Sequence, residues 1–202
     1  MTETNRLSVC VFCASSEAVG EEDRAVAAEL GRGIAERGWR LVYGGGGIGL
    51  MGEVARAALA GGGDVLGVIP HRLMTREVAL LDNTELVQTE TMRERKHHMD
   101  SESDAFVVLP GGIGTLEELV EVLTLKLLGY HSRPIVVLDP RGYWRPLLDQ
   151  LDTMIRHRLS PPTLLYLFEV VDSPDAALAA VTRPQADISA PSAAQELETI
   201  ED

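Results

Sequence analysis

Ala105-Phe106-Val107-Val108-Leu109-Pro110-Gly111-Gly112-Ile113-Gly114-Thr115-Leu116-Glu117-Glu118 passes from an unbroken apolar run, through a glycine-rich turn, into a candidate helix. An apolar run that does not alternate with polar residues reads as a strand buried on both faces. The pattern recurs along the chain. Candidate strands fall at 8–13, 40–43, 65–69, 85–88, 105–109, 135–138 and 168–171, with candidate helices at 22–37, 50–60, 91–101, 116–128, 143–158 and 174–181. In the first helix Val26, Leu30 and Ile34 recur every four residues, and Gly38 closes it as a C-terminal cap. Apolar strands separated by helices imply a parallel sheet covered on both sides. The expected fold is α/β: a doubly wound parallel sheet, Rossmann-like, in a single domain over residues 1–183. Its ligands should sit beyond the carboxyl ends of the strands. Residues 184–202 hold acids but no Lys, Arg or aromatic residue, and read as an acidic disordered tail.

The chain has 202 residues, 45% of them hydrophobic, enough for one sizeable core. No apolar run is long enough to cross a bilayer, and residues 1–7 lack the layout of a signal peptide. A cytoplasmic protein with no membrane partner is expected. A net charge of -13 and a pI near 4.8 argue against nucleic acid as a partner. A small phosphorylated ligand remains compatible, because it needs only a local cluster of N–H groups and cations.

Cys10 and Cys13 form a C-x-x-C, but on a strand residues three apart point to opposite faces. With no second pair to complete a zinc site, they read as structural thiols. No His/Asp/Glu cluster has metal-ligand spacing, and no Ser/His/Asp order stands out, so neither metal nor cofactor is expected.

Two glycine-rich loops follow strands. The first runs from Gly44 to Gly52, and Gly47-Ile48-Gly49-Leu50-Met51-Gly52 satisfies the dinucleotide fingerprint G-x-G-x-x-G. The acid expected at the end of the next strand is missing, since that strand ends at Ile69-Pro70-His71 and Asp64 lies at its start. The second loop is Pro110-Gly111-Gly112-Ile113-Gly114. Two such loops suggest a shared phosphate or nucleotide pocket, with Gly45, Gly46 and Gly111 as phosphate-loop candidates. Glu118 has two readings. Thr115-x-x-Glu118 matches a capping box, which would make it structural, and a carboxylate beside a phosphate loop is also a catalytic candidate. In Met92-Arg93-Glu94-Arg95-Lys96, cations at a helix start oppose the helix dipole, which suggests an anion bound nearby. Lys96 shares a helix face with Met92 and Met99, a packing position.

Together these motifs are identified with a known family. Phe12-Cys13-Ala14-Ser15-Ser16, Tyr43-Gly44-Gly45-Gly46 through Gly49-Leu50-Met51-Gly52, Met92-x-x-Arg95-Lys96 and Pro110-Gly111-Gly112-x-Gly114-Thr115-x-x-Glu118 resemble the Lonely guy family. These are cytokinin riboside 5′-monophosphate phosphoribohydrolases, formerly described as lysine decarboxylases. The resemblance spans about residues 7–182, with Ala14 standing where the family usually has Gly. It implies Arg95 and Glu118 as the catalytic pair. It implies substrate contacts at Glu77, Arg95, Lys96, Gly112-Ile113-Gly114-Thr115-Leu116-Glu117-Glu118 and Thr124, and a homodimer as the assembly. The implied reaction is hydrolysis of the N-glycosidic bond of a nucleoside 5′-monophosphate. A broader AMP hydrolase and a non-catalytic nucleotide or cofactor carrier are the alternatives. Lysine decarboxylation is disfavoured, because no signature of a pyridoxal-phosphate lysine is present.

Overall fold

Seven strands, every neighbouring pair parallel, form one sheet in the order β4-β3-β2-β1-β5-β6-β7. The computed structural model describes residues 6–75 and 85–183. Glu77 and the 184–202 tail lie outside the described residues. In chain order the elements are β1 (Ser8–Phe12), α1 (Glu21–Glu36), β2 (Arg40–Tyr43), α2 (Gly49–Ala60), β3 (Asp64–Pro70), β4 (Glu85–Thr89), α3 (Met92–Ser101), β5 (Ala105–Val108), α4 (Ile113–Leu127), β6 (Ile135–Leu138), α5 (Arg145–Arg156), β7 (Glu169–Val171) and α6 (Pro174–Ala180). Short 3₁₀ turns at His71–Leu73 and Pro162–Tyr166 add to the expected elements.

Alternation along each strand divides the core into two layers. Val9 and Val11 of β1 pack with the buried faces of α1, α2 and α6. Cys10 and Phe12 pack with residues of α3, α4 and α5 on the other side. Cys13 joins the first layer, so the two thiols are buried on opposite sides and stay free. Burial, and then the Glu118 carboxylate, push both thiols well above their ordinary range, which disfavours the thiolate form.

Helix ends follow the glycine signals. After α1, the Gly38 N–H donates to the Ala35 carbonyl and the Trp39 N–H to that of Ile34, with Gly38 at φ +66°, which is a Schellman closure. Helix α4 departs from expectation. It starts at Ile113, not Leu116, with Gly112 at its cap position. Thr115 therefore lies inside the first turn, and the Thr115/Glu118 capping box does not form. A side-chain cap is made at α3 instead, where Thr91 Oγ1 accepts from the Glu94 N–H, while Glu94 reaches past the cap residue to accept from the Glu90 N–H.

The strand order places the reversal of winding between β1 and β5. The chain moves outward from β1 to β4, then returns to β5 on the other side of β1. Loops leaving the two strands diverge there and open a crevice at their carboxyl ends. The Leu109 N–H still donates to the Phe12 carbonyl at 2.9 Å, and the Ala14 N–H to that of Pro110 at 3.1 Å.

Helices α1 and α2 touch through a glycine. A Cβ on Gly31 would lie 2.2 Å from the Val54 carbonyl oxygen of α2. Alanine normally favours a helix interior over glycine by about 1 kcal/mol. Here the sign should reverse: Gly31→Ala is expected to lose about 1–3 kcal/mol through overpacking against backbone. Urea denaturation checks this, and unchanged or increased stability would contradict the close approach.

Candidate active site

Arg95 sits on the first turn of α3 and is 6% exposed. A buried guanidinium needs partners for its donors. Its Nε donates to the Val68 carbonyl at the end of β3, and one terminal nitrogen donates to the Gly44 carbonyl after β2, each at 3.0 Å. Gly44 leaves the space this requires, since a Cβ there would lie 1.9 Å from the same nitrogen. The other terminal nitrogen faces Glu118 Oε1 at 4.0 Å. Glu118, on α4 and 9% exposed, thus reaches the cleft from the opposite side. The two charges interact strongly across this gap, yet those two atoms are beyond hydrogen-bond distance.

The cleft between them has a volume of about 300 Å³, at the lower end for small-molecule pockets. Cys13, Ser15, Gly44, Arg95, Gly112, Gly114 and Glu118 line it. It lies at the winding reversal between β1 and β5.

The two glycine loops play unequal parts. At α2 the first-turn amides of Leu50 and Met51 both donate to the Ala14 carbonyl, so the β1 turn takes up these donors. Ala14 serves in this role with ordinary backbone geometry, outside the left-handed region. Gly45, at φ +75°, and Gly46 are buried, and Gly44 is the loop glycine on the cleft wall. At α4 the cap residue has no side chain to accept from the helix amides. A Cβ at Gly112 or Gly114 would meet nothing within 4 Å. That helix start is open to the cleft and can receive an anion.

The remaining predicted residues divide by location. Lys96 turns away from Arg95, as neighbours about 100° apart on a helix must. Its ammonium pairs with Glu117 and, at 3.0 Å, with Glu121, both on α4. Partial burial works against that charge, but bonds to Glu117 and Glu121 carry Lys96 above its ordinary range. Lys96 is therefore a clamp between α3 and α4, not a packing residue beside Met92. These acids, with Glu118, also bear on the dipole argument: Arg95 and Lys96 at the start of α3 each face carboxylates of this chain. Leu116 packs against the core, Ile113 is exposed at the cleft rim, and Thr115 is buried under Gly111. Thr124 is exposed on α4, bonds the Val120 carbonyl of its own helix, and does not line the cleft.

Known proteins resemble this chain in sequence and in fold. A family model described as "Possible lysine decarboxylase" matches residues 51–181. A Mycobacterium tuberculosis protein named cytokinin riboside 5′-monophosphate phosphoribohydrolase is 46% identical over 177 residues, covering 88% of this chain and 94% of that protein. An Arabidopsis thaliana protein of the same name is 42% identical, covering 83% of this chain and 78% of its own length. The chain belongs to the Lonely guy family. Among solved structures, a molybdenum cofactor carrier protein from Chlamydomonas reinhardtii is 25% identical with a TM-score of 0.66, covering 87% of this chain and 95% of that one. A molybdenum cofactor binding protein from Rippkaea orientalis, at 20% identity and a TM-score of 0.66, shares the fold.

Two features of this family member escape sequence reasoning. Gly44 is one glycine among four in a row, and only the path of Arg95 singles it out. Asp139, at the end of β6, accepts from the amides of Tyr143 and Trp144 at 2.7 and 2.9 Å. Tyr143 in turn donates to the Gly111 carbonyl at 2.6 Å. The turn at Asp139-Pro140-Arg141-Gly142 carries an Asp-and-Gly signal, but its link to residue 111 is long-range.

Removing the two cations should have different costs. Arg95→Ala takes a balancing charge from the buried Glu118 and a donor from the Val68 and Gly44 carbonyls, and is expected to destabilise by about 3–5 kcal/mol. Lys96→Ala loses partly exposed pairs and should cost about 1 kcal/mol or less. Thermal and urea unfolding of both variants test the contrast, and equal losses would refute the special burial of Arg95.

Proposed function

We propose that this protein hydrolyses the N-glycosidic bond of cytokinin riboside 5′-monophosphates, giving the free base and ribose 5-phosphate. One observation carries the reading. A buried Arg95/Glu118 pair faces across a cleft whose rim is an open helix start with donors for a phosphate. The names of relatives at 42–48% identity support the same substrate class.

In this reading the 5′-phosphate binds at the start of α4, over Gly112 and Gly114. Binding energy from this remote group orients the ribose, which accounts for a monophosphate requirement. Breaking the bond between C1′ and the base nitrogen leaves positive charge on the sugar and negative charge on the base. Glu118 stabilises the sugar cation and accepts a proton from the attacking water, whose oxygen forms the new bond to C1′. Arg95, fixed by the carbonyls of Val68 and Gly44, faces the departing base with a preorganised positive charge, and the proton that Glu118 took from water passes to the base nitrogen, so the base leaves neutral and Glu118 returns to its carboxylate form. Lys96 lends long-range attraction and holds α3 to α4.

Among the described residues no group of His, Cys, Asp and Glu is arranged to hold a metal. A pyridoxal-phosphate decarboxylase needs a Schiff-base lysine, and the chain has only Lys96 and Lys126. Lys96 is committed to two glutamates, and Lys126 donates to the Arg133 carbonyl in the last turn of α4. The residues do not fit that cofactor. The free thiols of Cys10 and Cys13 suit a reducing, cytoplasmic setting.

The assembly we propose is a homodimer through α4. Val120 and Leu128 are exposed on this helix, and Tyr130 just beyond it. Thr124 lies on the same surface, so a substrate contact by Thr124 would be made to the cleft of a second copy. Sedimentation at micromolar concentration should give a dimer, and Leu128→Asp should shift it to monomer. A wild-type monomer would refute the assembly.

The direct test is incubation with AMP and with an N6-prenylated AMP, followed by assay of free base. Faster release from the prenylated nucleotide is expected, and equal rates would favour a general AMP hydrolase. Glu118→Gln should lower kcat by about 10²–10⁴-fold while nucleotide still binds. Near-normal turnover would remove Glu118 from the chemistry.

A further inference from the structure

The geometry points to Tyr143 as a positioning residue that latches the glycine loop in its anion-binding conformation. This rests on the hydrolase reading only for the identity of the anion.

The phenol of Tyr143 donates to the Gly111 carbonyl at 2.6 Å, across 32 positions of sequence. That carbonyl and the Gly112 N–H belong to one planar trans peptide unit and point to opposite sides of it. Holding the carbonyl at Tyr143 therefore fixes the direction of the Gly112 N–H on the opposite side. The torsions on either side of this peptide belong to Gly111 and Gly112, which have no Cβ to resist a flip. A Cβ at Gly112 would meet nothing within 4 Å, so no side-chain packing holds this peptide from the cleft side, and the Gly112 carbonyl is tied to the helix by the Leu116 N–H. Without a latch, the cap of α4 would sample orientations in which its donor leaves the bound anion.

Tyr143 is itself held firmly. Both carboxylate oxygens of the buried Asp139 accept backbone amides, one from Tyr143 and one from Trp144. The Tyr143 ring meets that of Trp144 edge-on at 5.0 Å, and Trp144 is buried in the core layer of α4 and α5. Strand β6 pairs with β5, so the anchor at the end of β6 stands beside the loop that leaves β5. Tyr143 as a residue is 52% exposed, yet its hydroxyl is turned to the loop carbonyl.

Tyr143→Phe tests the latch, because it keeps the ring and removes only the donor. KM for the nucleoside monophosphate and Kd for ribose 5-phosphate, by calorimetry, should both rise about five- to tenfold, the loss of one hydrogen bond. The value of kcat should stay within about twofold, and the melting temperature within about 2 °C. Unchanged KM and Kd would overturn the latch. So would a fall in kcat at constant KM, or a loss of melting temperature well beyond that range, which would make Tyr143 a general structural residue. Wild-type protein that releases no base, but binds ribose 5-phosphate in a Tyr143-dependent way, would sink the hydrolase reading and leave the latch standing. Wild-type protein that binds neither ribose 5-phosphate nor inorganic phosphate overturns both.

Discussion

A guanidinium taken out of water must have its donors met, and the site is built around that constraint. Arg95 reaches into the carboxyl ends of β2 and β3 and bonds their backbone carbonyls. Pairing of β2 with β3 ends at Tyr43 and Gly67, so the Gly44 and Val68 carbonyls lie just past the last pair of those two strands. Gly44 is bare because Arg95 occupies the volume of its side chain. Glu118 is drawn in from the opposite helix as the balancing charge. Position, charge and orientation of the pair therefore follow from the sheet edge, and neither residue depends on a mobile surface loop.

The same economy governs the helix starts. A helix leaves its first N–H groups without internal partners, and the fold treats the two cleft helices differently. At α2 the Ala14 carbonyl takes two of these donors, which ties the β1 turn to α2 and closes that end. At α4 the glycines leave the end open, while Tyr143 holds the adjoining carbonyl from outside. One helix start thus serves as a structural joint, and the other stays open to the cleft. Their sequences look alike because both need glycine, the first chiefly for packing and the second for access.

Charge is partitioned in a similar way. The chain is strongly acidic overall, yet two cations of α3, Arg95 and Lys96, each have assigned partners. Arg95 points into the sheet, while Lys96 crosses to Glu117 and Glu121. Three carboxylates on one stretch of α4 would repel one another without these partners. The α3–α4 junction holds the cleft at a set width, and the acids on its outer side keep Lys96 charged.

Strand and helix positions were legible from the chain because their signals are local: unbroken apolar runs, four-residue periodicity and terminal glycines act over a few residues. The Gly38 closure, the strand at Arg40–Tyr43 and the opposite faces of Cys10 and Cys13 all follow from such rules. The motif pair containing Arg95 and Glu118 was legible through family resemblance, since nothing local separates a catalytic Glu from a capping one. Local reading also erred in local ways. It began α4 at Leu116 and so left a capping box at Thr115 open as one reading, where glycine at the cap lets the helix begin earlier, and it passed over the Thr91 cap. What only the tertiary structure decided concerns residues far apart in the chain. Arg95 meets Val68 and Gly44, Lys96 meets α4, and Tyr143 meets Gly111, because the winding reversal brings their strand ends together. Such contacts leave no periodic trace in sequence, as each is a single bond between distant segments whose meeting depends on sheet order.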